Sequence, residues 1–425
     1  MSQSIRLVKN TLWLLLARFG TQGLMVLFTL LVARRLGEAG FGEYAFVASA
    51  IFFANSFATF GTDMLLIREI ASGSGLTQLP AALTIQLALS ALFVALAYFF
   101  GPMIPGQSRD AVWGLQLYSL ALFPLAFCTV FTAALRGKVR MEWYTLLNVT
   151  ISLLQLVGVW VFVQPGRGVA AVALILLLVQ LVAAVMAGLI CAARIPGFLR
   201  VWQFKPTAIS TVIYATAPIA LLGVLGIAAQ KLGVYMLSTL AGAAMTGWFS
   251  AALRVVEASK TGHLALFGAL YPAMAHAHTS TGETRLRAEA FTFSWKTLLA
   301  LAGMMAIVLF FVASPLVPLL YGPGFEPAIP ALKILAWMLV PYTINTYLSL
   351  SFLAAGHERS VALALLVSLI LLAALNAWWI PSVGLIGACW AALIAEIVQA
   401  GILLLQGRGA PFAHLCGSVD HRRCR

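Results

Sequence analysis

Charged side chains are scarce in this chain. Only 9% of its 425 residues are charged, whereas 62% are hydrophobic. Soluble globular proteins average about 25% charged residues, so this composition excludes an ordinary soluble domain and indicates an integral membrane protein. Acidic residues are scarcer than basic ones, with 13 Asp and Glu against 26 Lys and Arg. The basic bias points to an anionic ligand or surface.

Signatures of catalysis and metal binding are also lacking. The five cysteines form no C-x-x-C pair, and neither a P-loop, a paired-aspartate site nor a nucleophile elbow occurs. His414, Cys416, His421 and Cys424 fall in a basic C-terminal segment, where an unstructured tail explains their spacing better than a metal site does. We therefore expect no enzyme, no cofactor and no bound metal.

Long apolar runs are what the chain has instead. A helix needs about 20 apolar residues to cross the hydrocarbon core, and the polar breaks leave about twelve such segments. The segments are too continuously apolar for barrel strands. The predicted fold is therefore an all-α, polytopic membrane protein with about twelve transmembrane helices. The predicted spans are residues 11–33, 42–62, 80–101, 112–134, 144–164, 169–192, 212–236, 244–266, 291–313, 332–354, 361–380 and 385–406.

Lysine and arginine are distributed unevenly between the connecting segments. If the N-terminus is inside, most of the 26 basic residues lie in cytoplasmic segments. The positive-inside rule then places both termini in the cytoplasm, with tryptophans near both interfaces. On this interpretation the net charge of +13 reflects orientation and contact with anionic membrane lipid, and not nucleic-acid binding.

Three short motifs recur in the same order at an offset of about 210 residues. Gly37-x4-Gly42-x-Tyr44 matches Gly242-x4-Gly247-x-Phe249, and weaker matches follow the fourth and tenth spans and lie in the sixth and twelfth. Repeats in the same orientation are typical of transporters with two helical bundles around a central cavity. The predicted domains are an N-terminal six-helix lobe (1–200), a C-terminal six-helix lobe (201–407) and a basic cytoplasmic tail (408–425).

Arg254 is a cation far inside an apolar segment, and Glu257 and Lys260 follow it on the same helix. An ionisable residue at bilayer depth costs several kcal/mol, so its presence suggests a function. The spacing makes Arg254 and Glu257 neighbours and places Lys260 within reach of Glu257. A purely structural ion pair is the alternative, but three charges cannot all cancel and one net positive charge remains.

The other candidate site residues are more scattered. Arg18 in the first span is either a cavity cation or a side chain that reaches the inner interface, and the same alternatives hold for Lys231 at the outer one. Glu396 is a candidate for proton coupling, although a hydrogen bond to a neighbouring helix is the simpler interpretation. Asp63 and Arg68 form either a solvated turn or a cytoplasmic gate.

The N-terminal run that includes Leu36-Gly37-x-x-Gly40-Phe41-Gly42-x-Tyr44, followed by Gly61-x5-Ile67-Arg68-Glu69, resembles the Wzx-type polysaccharide flippases. Lys231-Leu232-x-x-Tyr235 and Gly247-x-Phe249-x-x-Ala252-x-Arg254 look like that family's seventh and eighth helices. The superfamily also contains lipid II flippases and multidrug-extrusion antiporters. One departure is Gln230, where family members often carry an acidic residue.

The resemblance implies a flippase that moves a polyprenyl-pyrophosphate-linked oligosaccharide from the inner to the outer leaflet of the cytoplasmic membrane by alternating access. It also implies cationic cavity residues, which here fall on Arg18 and Arg254. A lipid-linked oligosaccharide and membrane lipid are the expected partners, with a polysaccharide polymerase and a chain-length regulator as further candidates. The alternative is a cation-coupled multidrug antiporter, which would need cavity carboxylates that the first span lacks.

Overall fold

The computed structural model describes residues 3–73, 76–164, 166–202, 206–260, 284–354 and 356–407. Within these ranges the regular structure is helical and no strand occurs. The helices are α1 (Gln3–Thr59), α2 (Thr62–Ala71), α3 (Leu79–Phe100), α4 (Arg109–Ser119), α5 (Leu122–Gly137), α6 (Met141–Phe162), α7 (Val169–Arg194), α8 (Pro206–Leu240), α9 (243–260), α10 (Thr284–Tyr321), α11 (Ala328–Ala336), α12 (Leu339–Ala354), α13 (Glu358–Val383) and α14 (Leu385–Gly407).

The predicted all-α membrane fold is confirmed. In the described residues, eight helices are long and apolar enough to cross a membrane, or ten if each of two helix pairs bent by 44° and 42° counts as one span. The predicted first and second spans both lie on α1, which Gly37 divides in two, with φ of 69° and ψ of −175°. That conformation is open essentially to glycine alone. The count of about twelve spans stays a prediction.

The helices group into two compact units, with the boundary between Gly247 and Trp248. In the first unit α8 packs against α1 and α3. The predicted lobe boundary at residues 200 and 201 lies before α8 and stays a prediction, and the predicted tail (408–425) lies outside the described residues.

The core of the first unit is formed by the faces of α2, α3, α5 and α7 that point toward one another. Leu66, Leu79, Leu135 and Cys191 are at most 1% exposed there. The N-terminus of α7 is capped by a residue of another helix. The carboxylate of Asp110, on α4, accepts hydrogen bonds from the backbone N–H groups of Val169 and Ala170. A carboxylate at a helix N-terminus satisfies free donors and complements the helix dipole.

Two glycines of the repeated motif meet in the first unit. A Cβ on Gly42 would lie 1.8 Å from the carbonyl oxygen of Ala243, and one on Gly247 would lie 2.0 Å from that of Glu38. The second part of α1 therefore crosses the start of α9 backbone against backbone. Small residues permit this close approach between membrane helices.

The second unit has its own core, made by α10, α12, α13 and α14. Leu298, Tyr347, Phe352 and Leu403 are buried in it, and the ring centroids of Trp295 and Tyr347 are 4.7 Å apart. Helices α13 and α14 are also joined by a hydrogen bond of 3.0 Å from the Ser368 hydroxyl to the Ala395 carbonyl. Arg254 itself belongs to this unit.

Candidate functional site

The charged residues of α9 form a local cluster in the second unit. Arg254 Nη1 lies 3.1 Å from Glu257 Oε2, as the i, i+3 spacing predicts. The two side chains are 30% and 26% exposed, so each keeps a face open to a further partner. The carboxylate orients the guanidinium and offsets part of its charge.

Two aromatic side chains fix α9 beside this cluster. The Tyr321 hydroxyl, at the end of α10, donates a hydrogen bond of 3.1 Å to the Ala251 carbonyl. The Trp248 indole N–H donates one of 3.0 Å to the Gly324 carbonyl. The first bond holds the α9 backbone in the turn before Arg254, and the second ties an α9 side chain to the backbone that follows α10, so the position of the guanidinium does not depend on the ion pair alone.

Lys260 completes the cluster at the end of the described part of α9. Its ammonium lies 4.0 Å from the ring centroid of Tyr342 on α12, a distance at which an aromatic face attracts a cation. An aromatic ring stabilises the ammonium without cancelling its charge. With two cations and one carboxylate, the cluster keeps a net positive charge.

Lys231 is a residue of the first unit. Its ammonium is 5.3 Å from the ring centroid of Phe52 on α1. Lys231 also lines a cavity of about 500 Å³ between α1, α3, α4, α5 and α8. The described lining is apolar except for Ser49, Lys231 and Tyr235. The sequence indicated the cation but not the cavity.

Glu396 on α14 is bound to a neighbouring helix, which is the simpler of the two predicted interpretations. The Asn345 amide nitrogen donates to Glu396 Oε2 at 2.6 Å and to the Glu396 backbone carbonyl at 3.0 Å. Asn345 is only 4% exposed. A buried amide that bridges a carboxylate and a backbone oxygen joins α12 firmly to α14.

Asp63 and Arg68 occupy opposite ends of the short helix α2, Asp63 in its first turn and Arg68 in its last. Both positions complement the helix dipole. Arg68 lies 3.5 Å from Glu69, and its side chain is 69% exposed. This geometry is that of a solvated charged helix, and the predicted gating role remains untested.

Two other predicted regions involve residues whose side chains lie outside the described structure. Arg18 lies on α1, but its side chain is outside the described residues, so its role stays a prediction. The same holds for the tail that carries His414, Cys416, His421 and Cys424. In the described ranges, no group of three or more His, Cys, Asp and Glu could hold a metal ion. There, Cys128, Cys191 and Cys389 are buried and unpaired with one another.

Solved structures of membrane transporters share this all-helical fold. An inward-facing multidrug resistance MATE family transporter of the MOP superfamily superposes with a TM-score of 0.73 at 19% identity, over 94% of this chain and 96% of that one. The outward-facing form gives 0.66 at 17% identity, over 98% and 100%. A MOP superfamily transporter from Pyrococcus furiosus, described as having a binding pocket of reversed polarity, gives 0.66 at 18%, over 97% and 96%.

Among curated proteins, none matches the chain. The sequence model of the family described as polysaccharide biosynthesis protein matches residues 7–278. The chain therefore belongs to this polysaccharide biosynthesis protein family, and its fold is that of a MOP superfamily transporter.

Proposed function

We propose that the protein is a flippase that moves a polyprenyl-pyrophosphate-linked oligosaccharide across the cytoplasmic membrane. The observation that carries the proposal is the net positive cluster of Arg254, Glu257 and Lys260 on α9. An intramembrane cation needs an anionic partner, and one of the two cations here has no carboxylate of its own within the cluster. Membership of the polysaccharide biosynthesis protein family supports a glycan-carrying lipid as the class of cargo.

Arginine suits a pyrophosphate for geometric reasons. Its planar guanidinium can donate two parallel hydrogen bonds to phosphate oxygens and stays charged at any working pH. Glu257 holds one edge of the Arg254 guanidinium and leaves other donors for the cargo. Lys260, backed by the Tyr342 ring, contributes a second cation. Together they replace part of the hydration that the pyrophosphate loses.

The translocation step in this proposal is alternating access with both termini in the cytoplasm. The headgroup binds from the inner leaflet and is released to the outer one. A membrane potential that is positive outside favours outward movement of an anion by about 2.3 kcal/mol per charge per 100 mV. The flippase itself carries out no chemical step in this scheme.

The other predicted residues have supporting roles in the proposal. Arg18 and Lys231 supply further cationic contacts, while Asp63, Arg68 and Glu396 act in gating or coupling. A polysaccharide polymerase and a chain-length regulator would receive the product on the outer side.

A cation-coupled multidrug antiporter is the second candidate, because the similar solved structures include multidrug transporters. Cationic drugs would require carboxylates that are free to bind them. In the described residues of α9 the one carboxylate is paired with Arg254, and that of Glu396 accepts a hydrogen bond from Asn345. A cluster that is net positive would repel cationic drugs, so we favour the anionic cargo.

Reconstituted vesicles test the choice directly. Arg254→Gln should lower transport of a labelled lipid-linked oligosaccharide roughly tenfold or more, since a hydrogen bond to a charged group contributes about 1.5–3 kcal/mol. Arg254→Lys should retain part of the activity. Lys296→Gln, which removes an exposed cation of the same unit, is the matched control and should transport normally.

Two results would count against the flippase. One is full oligosaccharide transport by the Arg254→Gln protein. The other is a wild-type protein that exports a cationic dye but does not transport the oligosaccharide, with dye export unchanged in the Arg254→Gln variant. That result would favour the antiporter.

A further inference from the structure

The chain turns sharply after α7, and the turn separates buried from exposed apolar side chains. Gly197 has a φ of 78°, and Phe198 after it lies in the core at 3% exposure. Leu199, by contrast, is 72% exposed, and Trp202 is 36% exposed. The ring centroids of Phe198 and Trp202 are 5.7 Å apart. Leu199 and Trp202 are therefore anchored through a buried neighbour while their own side chains stay open to a partner.

This turn lies at the boundary of the membrane-spanning part of the first unit. The apolar spans that contain α5, α6 and α7 respectively end at Gly137, begin at Met141 and end at Arg194. The contact between Arg194 and Trp143 places the end of α7 level with the start of α6. Residues at such a boundary meet both the acyl chains and the headgroups of the bilayer. The turn is therefore within reach of a membrane lipid.

Arg194 presents a cation beside the exposed apolar residues. Its guanidinium carbon lies 4.3 Å from the ring centroid of Trp143, and Trp143 itself packs against the core of the first unit. An aromatic face fixes the guanidinium without cancelling its charge, and the N–H groups at the edge of the plane match phosphate oxygens. Among the described residues, no carboxylate lies within 4 Å of Arg194. Its charge is thus available to an anion from outside the protein.

The residues around Arg194 keep the same sign of charge. The guanidinium carbon of Arg136 lies 5.6 Å from the ring centroid of Tyr144, and Arg200 is exposed within the turn. Glu142, at the start of α6, lies 3.9 Å from Arg140, so its charge is offset by that arginine. A basic surface next to exposed apolar side chains at a membrane boundary suits a molecule with a phosphate and a hydrocarbon chain.

We infer that the surface formed by Trp143, Arg194, Leu199, Arg200 and Trp202, here called the α7-end patch, binds one anionic phospholipid. The lipid phosphate binds the Arg194 guanidinium, and an acyl chain covers Leu199 and Trp202. This assignment does not depend on the identity of the cargo, and the proposed function does not require it. An ordinary belt of basic and aromatic residues would attract anionic lipid through its total charge alone, whereas the α7-end patch requires Arg194 on its ring.

Native mass spectrometry tests the assignment on the full-length protein. The protein is freed of lipid in detergent and mixed with equal amounts of phosphatidylglycerol and phosphatidylcholine, and the bound molecules of each lipid are counted. We expect phosphatidylglycerol to be retained in preference to phosphatidylcholine. Phosphatidylglycerol with a photoreactive headgroup should also cross-link to residues 194–202 and to the start of α6.

Two pairs of variants sharpen the result. Arg194→Gln should lower the preference for phosphatidylglycerol roughly fivefold, the contribution of one basic residue near an anionic lipid. Arg109→Gln makes the same change at an exposed arginine where another span begins and should leave the preference unchanged. Trp143→Leu keeps every charge but removes the ring, and should lower the preference about twofold to fivefold. Trp113→Leu, at an exposed tryptophan of α4, is its control.

Equal retention of phosphatidylglycerol by the Arg194→Gln and Arg109→Gln proteins would overturn the inference, because the basic residues would then act only through their total charge. Cross-links spread evenly over the basic surface of the first unit would have the same meaning. Displacement of phosphatidylglycerol by an equal amount of polyprenyl phosphate would also overturn it, since the α7-end patch would then bind the lipid of the cargo and not a membrane phospholipid.

Discussion

Replacing Gly42 with alanine would add a methyl group where α1 crosses the start of α9. The new Cβ would lie 1.8 Å from the Ala243 carbonyl oxygen and 2.8 Å from the Gly247 nitrogen. Real Cβ contacts are essentially never under 3.0 Å, so the carbonyl must move by about 1.2 Å or more. The atoms in the way belong to backbone, and a side-chain rotation cannot relieve the clash.

The cost follows from that displacement. Inserting a methyl group into close-packed structure costs about 1–3 kcal/mol. Alanine is favoured over glycine within a helix by about 1 kcal/mol, which offsets part of this. Gly23→Ala is the matched control, because it makes the same change on α1 where a Cβ meets nothing within 4 Å. The difference between the two variants therefore isolates the crossing, at about 1–3 kcal/mol.

Gly247→Ala provides a second, independent prediction at the same crossing. Its Cβ would meet the Glu38 carbonyl oxygen at 2.0 Å, and the shift that relieves one clash also relieves the other. The double variant Gly42→Ala, Gly247→Ala should therefore cost less than the sum of the single variants. Additive costs would mean that the two contacts are separate.

Thermal unfolding in detergent can be followed with a thiol-reactive fluorophore. Cys128, Cys191 and Cys389 are buried and become reactive as the helices separate. Cys416 and Cys424 are replaced with serine in every variant to remove the tail signal. If the Gly42→Ala protein unfolds at the same temperature as the Gly23→Ala protein, at one scan rate, the backbone crossing does not exist as described.

Three further predictions concern single contacts. Asp110→Ala should lower the free energy of unfolding by about 1 kcal/mol by removing an N-terminal cap, whereas Asp110→Asn, which keeps an acceptor, should lose less. A double-mutant cycle of Asn345→Leu and Glu396→Leu should give a coupling energy of about 1 kcal/mol or more, and a value near zero would contradict the bond between α12 and α14. Tyr342→Leu should lower the unfolding temperature more than Tyr342→Phe, which keeps the ring beside Lys260.

The parts of the fold that the sequence predicted well are those that depend on local pattern. Apolar runs predicted where helices lie, because helix length and hydrophobicity are set by the bilayer. The Arg254–Glu257 pair was predicted for the same reason, since i, i+3 neighbours on a helix meet whatever surrounds them. The sequence also showed the repeated glycine motif, but it did not predict that the two copies of the motif cross each other.

The contacts that the sequence did not predict all join distant positions. Lys260 meets Tyr342, Lys231 meets Phe52, and both rings lie on other helices. A single sequence gives no signal for such pairs, because tyrosine and phenylalanine are ordinary residues of membrane helices. The cavity beside Lys231 has no local signature for the same reason, since helices α1, α3, α4, α5 and α8 all contribute to its wall.

The bond between Asn345 and Glu396 has a consequence for how the chain is made. Asn345 enters the membrane with α12, but the carboxylate that binds its amide is 51 residues further along the chain. Until α14 is inserted, the Asn345 amide needs another hydrogen-bond partner, because hydrocarbon offers none. Helices α12, α13 and α14 should therefore be released from the insertion machinery together. A chain truncated before α14 would keep the Asn345 amide without its carboxylate partner in the membrane, and we expect such a chain to be degraded.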